Sequence, residues 1–112
     1  MNPSLRRVVA YVDQNYMHKL TLEDIAQHVY LNKTYVGQMF TKYLGINFSN
    51  YLEGIRIQNA CRLLHSTDLS ITEIAKASGY ASQSYFTKVF KKRLGVGPLQ
   101  YRSDYREFHP YL

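Results

Sequence analysis

Residues 74–95 read IAKASGYASQSYFTKVFKKRLG. Within this stretch, Gly79 follows a short amphipathic segment and is typical of a helix end, while Ser82 is a favourable N-cap for a second helix. Phe86 and Phe90 then recur at the spacing of one helix face, ahead of a closing glycine. Because only a few residues separate the two segments, the stretch predicts a helix-turn-helix unit.

The same pattern occurs a second time upstream in the chain. Identical residues lie 50 positions apart: Tyr35 and Tyr85, Phe40 and Phe90, Lys42 and Lys92, Leu44 and Leu94, Gly45 and Gly95, Tyr51 and Tyr101. Before the turn the spacing is 49, which matches Leu22 with Ile71, Asp24 with Glu73, Ile25 with Ile74 and Ala26 with Ala75. Chance similarity between short amphipathic helices is the alternative. The shared order and the single one-residue insertion favour two copies of one unit.

Helix signals continue along the rest of the chain, and alternation with period two is rare, which disfavours strands. Asn2 and Pro3 begin a first helix that extends to about His18, and Pro98 begins the last. The third helix runs from its Asn32 cap to Gly45. We predict an all-α fold of about seven helices, as one domain over residues 1–112, with helix-turn-helix unit one at about 21–45, a long linker helix at about 48–65 and unit two at about 70–95.

Composition and charge indicate which class of partner the protein binds. The 112 residues are 46% hydrophobic, which suits one globular domain, and the apolar runs are too short for a membrane span or a signal peptide. Lysine and arginine total 14 against 8 acids, and no acid occurs in Ile25–Leu52 or in Ile74–Ser103. These acid-free stretches coincide with the two units, so we expect a phosphate-rich partner and no membrane.

The second helix of each unit, its predicted recognition helix, has a polar outward face. Val36, Phe40 and Leu44 mark the buried side of the first, which leaves outside Lys33, Thr34, Gly37, Gln38, Thr41 and Lys42. The outward residues of the second are Gln83, Ser84, Thr87, Lys88 and Lys91. Side chains of these types read base edges in the major groove. One such face is more often merely solvated, but two repeated faces without acids favour DNA.

The second unit, through its closing Pro98-Leu-Gln-Tyr101-Arg102, resembles the signature of AraC/XylS-type transcription regulators, and the linker stretch Arg56-Ile-Gln-Asn-Ala60-Cys-Arg-Leu63-Leu64 is also similar to that family. The resemblance covers about Leu5 to Arg106. It implies a sequence-specific DNA-binding domain of a bacterial transcription regulator, usually an activator, in the cytoplasm at the nucleoid. It also implies two recognition helices in adjacent major-groove segments of double-stranded promoter DNA, contact with RNA polymerase, and a separate sensing or dimerisation domain.

Roles are carried over by position. The base-reading candidates are Thr34, Gly37 and Gln38 in unit one, and Gln83, Ser84, Thr87 and Lys88 in unit two. Helix starts and basic side chains give the candidates for the DNA backbone: Asn32, Lys33, Lys42, Ser82, Lys91, Lys92, Arg93 and Arg102. Two positions depart from the family pattern. Gly37 has no side chain where a base-reading one is common, and Gly97 stands before Pro98 in place of the usual Ser or Thr, which predicts a weaker cap.

Other chemistry finds little support. Cys61 is the one cysteine and is expected to be a small buried hydrophobe. The four histidines lack ligand spacing, so we expect neither a metal nor a cofactor, and no catalytic arrangement indicates an enzyme. Tyr35 and Tyr85 suit either packing or a phosphate contact. The alternatives to DNA reading are a helical protein-interaction module and a fragment of an alkyltransferase-type repair enzyme, which would need a reactive cysteine.

Overall fold

The computed structural model describes residues 2–109, and every element in that part of the chain is helical. The helices are α1 (Pro3–Asn15), α2 (Leu22–Val29), α3 (Lys33–Met39), α4 (Phe48–Ser66), α5 (Ile71–Ala77), α6 (Gln83–Leu94) and α7 (Pro98–Phe108). A π-helical turn, Phe40–Leu44, continues α3. The predicted all-α fold of seven helices with two helix-turn-helix units is confirmed, the units being α2–α3 and α5–α6.

Local capping sets where the helices of each unit begin. Thr21 before α2 forms a capping box with Asp24: the Thr21 hydroxyl accepts from the Asp24 amide at 3.1 Å, and the Asp24 carboxylate accepts from the Thr21 amide at 2.9 Å. Ser70 and Glu73 repeat this box at α5, with the same two bonds at 3.1 and 3.0 Å. Each box satisfies two backbone N–H groups that a helix start leaves without a partner.

The turns between the paired helices need a left-handed residue. In the first unit it is Tyr30, with φ of 59°, and in the second it is Gly79, with φ of 100°. Glycine adopts this conformation without strain, whereas a tyrosine does so rarely. The Tyr30 side chain is also 90% exposed, so the first turn keeps its shape without burying the ring.

The end of the first helix and the last turn of the third helix differ from the sequence prediction. The first helix ends at Asn15, earlier than the predicted His18. The third does not run as one α-helix to Gly45, because its last five residues form the π turn. Such a turn rearranges the backbone bonds around it, and here the Thr41 hydroxyl donates to the Gln38 carbonyl at 3.0 Å. Gly45 still ends the helix, with φ of 75°.

The molecule consists of two compact units, each containing one helix-turn-helix pair, and the boundary between them falls between Ile55 and Arg56. The first has its own core, formed around Val8, Val12, Ile25, Val36 and Phe40. The second is built around Leu64, Ile74, Phe86, Val89 and Phe90. Helix α4 is continuous through the boundary and supplies Leu52 to the first core and Leu64 to the second. Each helix-turn-helix pair therefore rests on a separate apolar core.

Helix α7 is fixed to the end of α4 within the second unit. Arg102 donates to the carbonyl oxygens of Leu64 and Thr67 at 3.2 and 3.3 Å. Arg106 donates to the Thr67 carbonyl at 2.7 Å and pairs with Asp68 at 3.0 Å. The last carbonyls of a helix lack partners within it, so these cationic donors satisfy groups that would otherwise need water.

Candidate nucleic-acid interface

The starts of α3 and α6 are capped by the two residues predicted to approach phosphates. Asn32 Oδ1 accepts from the amides of Thr34 and Tyr35 at 2.8 and 3.3 Å. Ser82 Oγ accepts from the amide of Tyr85 at 3.1 Å. Since the oxygens are used by the caps, a phosphate contact at these positions would come from the Asn32 amide nitrogen or the Ser82 hydroxyl proton.

Most of the predicted base-reading side chains lie exposed on these two helices. The exposed set is Thr34 and Gln38 on α3, and Gln83, Ser84 and Lys88 on α6. On the opposite sides, Val36 and Phe86 are fully buried. The 3.6-residue period thus places amides, hydroxyls and an ammonium group on one outward face per helix. These groups can donate to, or accept from, base edges.

Gly37 requires a correction to the predicted base-reading set. It is half-buried, and a Cβ atom built on it would lie 3.3 Å from Leu22 Cδ1 of the neighbouring helix α2. The position therefore faces the Leu22 side chain of α2. We remove Gly37 from the base-reading set on this geometry.

The equivalent position in the second unit, Thr87, has a related environment. Thr87 is half-buried and lines an open recess together with Ile71, Pro98 and Leu99. The recess lies beside the outward face of α6, because Gln83 also lines it. Thr87 therefore remains within reach of a ligand that touches Gln83.

Thr72 is a residue that the sequence analysis missed. Its hydroxyl, on the first turn of α5, donates to Gln83 Oε1 on the first turn of α6. The internal repeat carried a signal for this contact. Thr72 and Gln83 correspond to Glu23 and Lys33 in the first unit, a pair of opposite charges at the same two positions.

The basic residues predicted to meet the DNA backbone lie mainly in the last turns of the recognition helices. Lys91, Lys92 and Arg93 end α6 and are exposed. There they also complement the negative end of the helix dipole. Lys33 and Lys42 are exposed in the first unit, and the Lys42 ammonium lies 5.3 Å from the Tyr43 ring centre. Tyr35 and Tyr85 are about half exposed, at 44% and 57%.

Arg102 does not fit the role of a DNA-backbone contact. Its guanidinium is half-buried and bonds the carbonyls at the end of α4. Burial, together with the like charge of Arg106, lowers the pKa of Arg102. We therefore assign it a structural contact, and the remaining basic residues carry the proposed phosphate surface.

The remaining candidates for other chemistry are Cys61 and the residues of metal-ligating type in the described part of the chain. Cys61 is half-buried against the second core, and burial raises the pKa of its thiol, which disfavours the reactive thiolate. Among residues 2–109, no group of three or more potential metal ligands converges. No helix in that range is long and apolar enough to cross a membrane.

Residues 25–104 match a family model described as a helix-turn-helix domain, of the AraC type. The chain belongs to the AraC-type helix-turn-helix family. It is 38% identical over 107 residues to the regulatory protein PocR of Salmonella typhimurium, covering 95% of this chain and 35% of that protein. It is 33% identical over 98 residues to the transcriptional activator AarP of Providencia stuartii, covering 88% of this chain and 73% of AarP.

Among solved structures, the DNA-binding domain of AdpA, a global transcriptional factor crystallised in complex with a target DNA, superposes with a TM-score of 0.90 at 27% identity, covering 100% of both chains. The chain spans about a third of the length of the first curated relatives it matches. The relatives and the solved structure named above are transcription regulators or their DNA-binding domains.

Proposed function

We propose that this AraC-type domain recognises a specific, asymmetric sequence of double-stranded DNA, with α3 and α6 each entering the major groove. One observation carries the proposal: both recognition helices present exposed amide, hydroxyl and ammonium groups within stretches that contain no acid. Phosphates repel carboxylates, so recognition helices that carry no acid favour close approach. The similarity to the AdpA domain, which was solved with a target DNA, supports DNA binding by this domain.

The base-reading set is Thr34 and Gln38 on α3, with Gln83, Ser84, Thr87 and Lys88 on α6. Phosphate contacts come from Asn32, Ser82 and the exposed basic residues Lys33, Lys42, Lys91, Lys92 and Arg93. Because the two helices differ at nearly every outward position, their half-sites differ too. The DNA site is therefore asymmetric, whereas two identical reading heads would favour a repeated sequence.

We further propose that the domain serves a bacterial activator at the nucleoid, where it also contacts RNA polymerase. The name of the relative AarP, a transcriptional activator, supports this direction. The chain matches only 35% of PocR, so a protein built like that relative would hold a sensing or dimerisation domain outside the DNA-binding part.

Selection of duplexes from a random pool tests the proposed function. The pool contains about 24 random base pairs and is used near physiological salt, where non-specific binding is weak. Two short and different motifs would support reading by both units. A single motif would mean that one unit reads bases while the other contacts only the backbone. No enrichment would contradict the proposal and favour a protein-interaction module.

Alanine variants of the selected complex assign the two faces. Gln38→Ala and Lys88→Ala should each weaken the selected site by about 1–3 kcal/mol and relax base preference at one position. Each change should map to a different half-site. Unchanged specificity in both variants would contradict the assigned faces. Binding to the selected and to a scrambled duplex, measured by fluorescence anisotropy, makes the comparison.

A further inference from the structure

We propose that α6 identifies a thymine through two neighbouring features: the Gln83 amide, oriented by Thr72, and the apolar recess beside it. The amide nitrogen would donate to thymine O4, and the recess would hold the thymine C5 methyl group. The inference rests on the proposed function and names the base that the second unit reads. It makes Thr72 a positioning residue and Leu99 a specificity-determining one.

The hydrogen bond from Thr72 sets which edge of the Gln83 amide is presented. A glutamine that reads adenine uses its oxygen and its nitrogen together, as a bidentate pair. Here the Thr72 hydroxyl donates to Gln83 Oε1, which directs the oxygen toward α5. The Nε2 hydrogens lie on the other side of the carboxamide. Gln83 therefore acts chiefly as a donor and matches an acceptor on the base, not the adenine pattern.

The recess beside Gln83 adds an apolar requirement. It has a volume of about 190 Å³, and its lining residues are Ile71, Gln83, Thr87, Gly97, Pro98, Leu99 and Gln100. Leu99 is 68% exposed, so the side chain that lines the recess is accessible to a bound partner. The recess is open, so a methyl group on a bound duplex can enter it.

Thymine is the base whose major-groove edge offers both features. It presents the O4 acceptor next to the C5 methyl, whereas guanine presents two acceptors without a methyl and cytosine presents a donor. Residues 74–103 contain no acid, so no carboxylate of that stretch repels the DNA at this point. The donor and the apolar surface together therefore select thymine.

The first unit lacks this arrangement, which restricts the inference to α6. In the first unit the counterparts of Ile71 and Thr87 are Leu22 and Gly37. The end of the Leu22 side chain lies close to the bare backbone of Gly37. Glu23 and Lys33 replace Thr72 and Gln83. A charged pair cannot reproduce the amide geometry, so the first half-site should show no linked requirement for an acceptor and a methyl.

The experiment uses the whole chain and its selected duplex, with modified bases at the thymine whose preference is lost in Gln83→Ala. Uracil keeps O4 and removes only the methyl, and we expect about fourfold weaker binding from the loss of one buried methyl. 5-Methylcytosine, paired with guanine, keeps the methyl but replaces the acceptor with a donor. We expect it to bind at least about tenfold more weakly.

Protein variants link each loss to its side chain. Leu99→Ala should narrow the difference in affinity between thymine and uracil sites, because the methyl then loses one of the apolar side chains that line the recess. Thr72→Val should relax the thymine preference, while Thr72→Ser, which keeps the hydroxyl, should retain it. Glu23→Ala is the matched control on α2 and should leave this position unchanged. Both Thr72 and Leu99 are exposed, and circular dichroism verifies that the variants fold.

Several results would overturn the inference. Equal binding of the thymine and uracil duplexes by the unmodified protein would contradict the methyl contact. Uniform weakening of all duplexes by Leu99→Ala indicates contact with the sugar instead of a base. A selected site without a Gln83-dependent thymine also contradicts it, although the proposed function then still holds. Failure to select any sequence overturns both.

Discussion

The backbone at Gly37 faces the end of the Leu22 side chain on α2. Alanine at this position gains helix propensity worth up to about 1 kcal/mol, and its Cβ would meet only the flexible end of Leu22, at 3.3 Å. We expect Gly37→Ala to raise the free energy of unfolding by about 0.5 kcal/mol, measured by urea denaturation. DNA affinity should stay unchanged, because the position faces α2.

Gly45 is the matched control for this substitution. A Cβ on Gly45 would meet nothing within 4 Å, but its φ of 75° is unfavourable for side chains. Gly45→Ala should therefore lower the free energy of unfolding by about 1 kcal/mol. Destabilisation of equal size in both variants would contradict a backbone cause.

Two arginines predicted for the same role should behave differently. Arg102→Ala removes two bonds to the α4 carbonyls and should lower the free energy of unfolding by about 1–2 kcal/mol. Arg93→Ala should weaken all DNA sequences alike and reduce the salt dependence of binding. Denaturation and salt titration of both variants check this. A reduced salt slope for Arg102→Ala, with unchanged stability, would restore it to the phosphate surface.

At the scale of single residues, the sequence predicted exposure better than contact. The helical period was sufficient to place Gln38 and Lys88 on outward faces. The partners of Gly37 and Arg102 depend on tertiary packing between elements, and Arg102 bonds residues 35 and 38 positions away. No local pattern encodes that geometry, so the sequence alone did not show that Gly37 faces α2 or that Arg102 bonds the end of α4.

At the scale of one element, the capping box fixes the start of α5. Ser70→Ala removes the hydroxyl that accepts from the Glu73 amide and should cost about 1 kcal/mol of stability. Backbone and side-chain hydrogen bonds from Ser70 lower the pKa of Glu73, so the variant should move that pKa part of the way back up. Titration of the Glu73 carboxyl by NMR measures the change.

The corresponding box at α2 gives an internal comparison for that experiment. Thr21→Ala should destabilise the first unit by a similar amount, about 1 kcal/mol. If the Glu73 pKa is unaffected by Ser70→Ala, the hydroxyl does not support the carboxylate. Helix starts were predictable because these caps involve residues only three apart. The π turn was not, because the local sequence of Phe40–Leu44 is compatible with an ordinary helix.

At the scale of the whole molecule, a fall in pH should lower the stability of the protein by weakening the contacts that hold α7 against α4. The His65 ring stacks on Tyr105 at 3.5 Å, Tyr105 stacks on His109 at 4.3 Å, and His65 Nε2 lies 2.9 Å from the Tyr101 hydroxyl. Burial, and then the like charge of His109, lower the pKa of His65 from its ordinary 6.5. The unfolded chain therefore binds a proton at a higher pH than the folded chain does.

The direction of the effect follows from that difference. Stability is fully present above about pH 6.5 and is lost as the pH falls from there toward the lower pKa of the folded state. We expect the unfolding temperature to fall over this window, and His65→Gln to make the fall shallower. Thermal denaturation across the pH series tests this, and parallel curves for the two proteins would contradict it.

The π turn that follows α3 limits which segments of the recognition helices can be exchanged between the two units. Successive residues of an α-helix are rotated by about 100°, and a wider turn changes the angular phase of everything after it. Thr41 and Lys42 thus stand at a different azimuth from their sequence counterparts Lys91 and Lys92. A chimera that exchanges only Lys33–Met39 for the first turns of α6 transfers side chains in matching phase. A chimera whose exchange extends past Phe40 would place the charged side chains at a rotated angle. Residues that align in sequence are therefore not equivalent in space beyond that point.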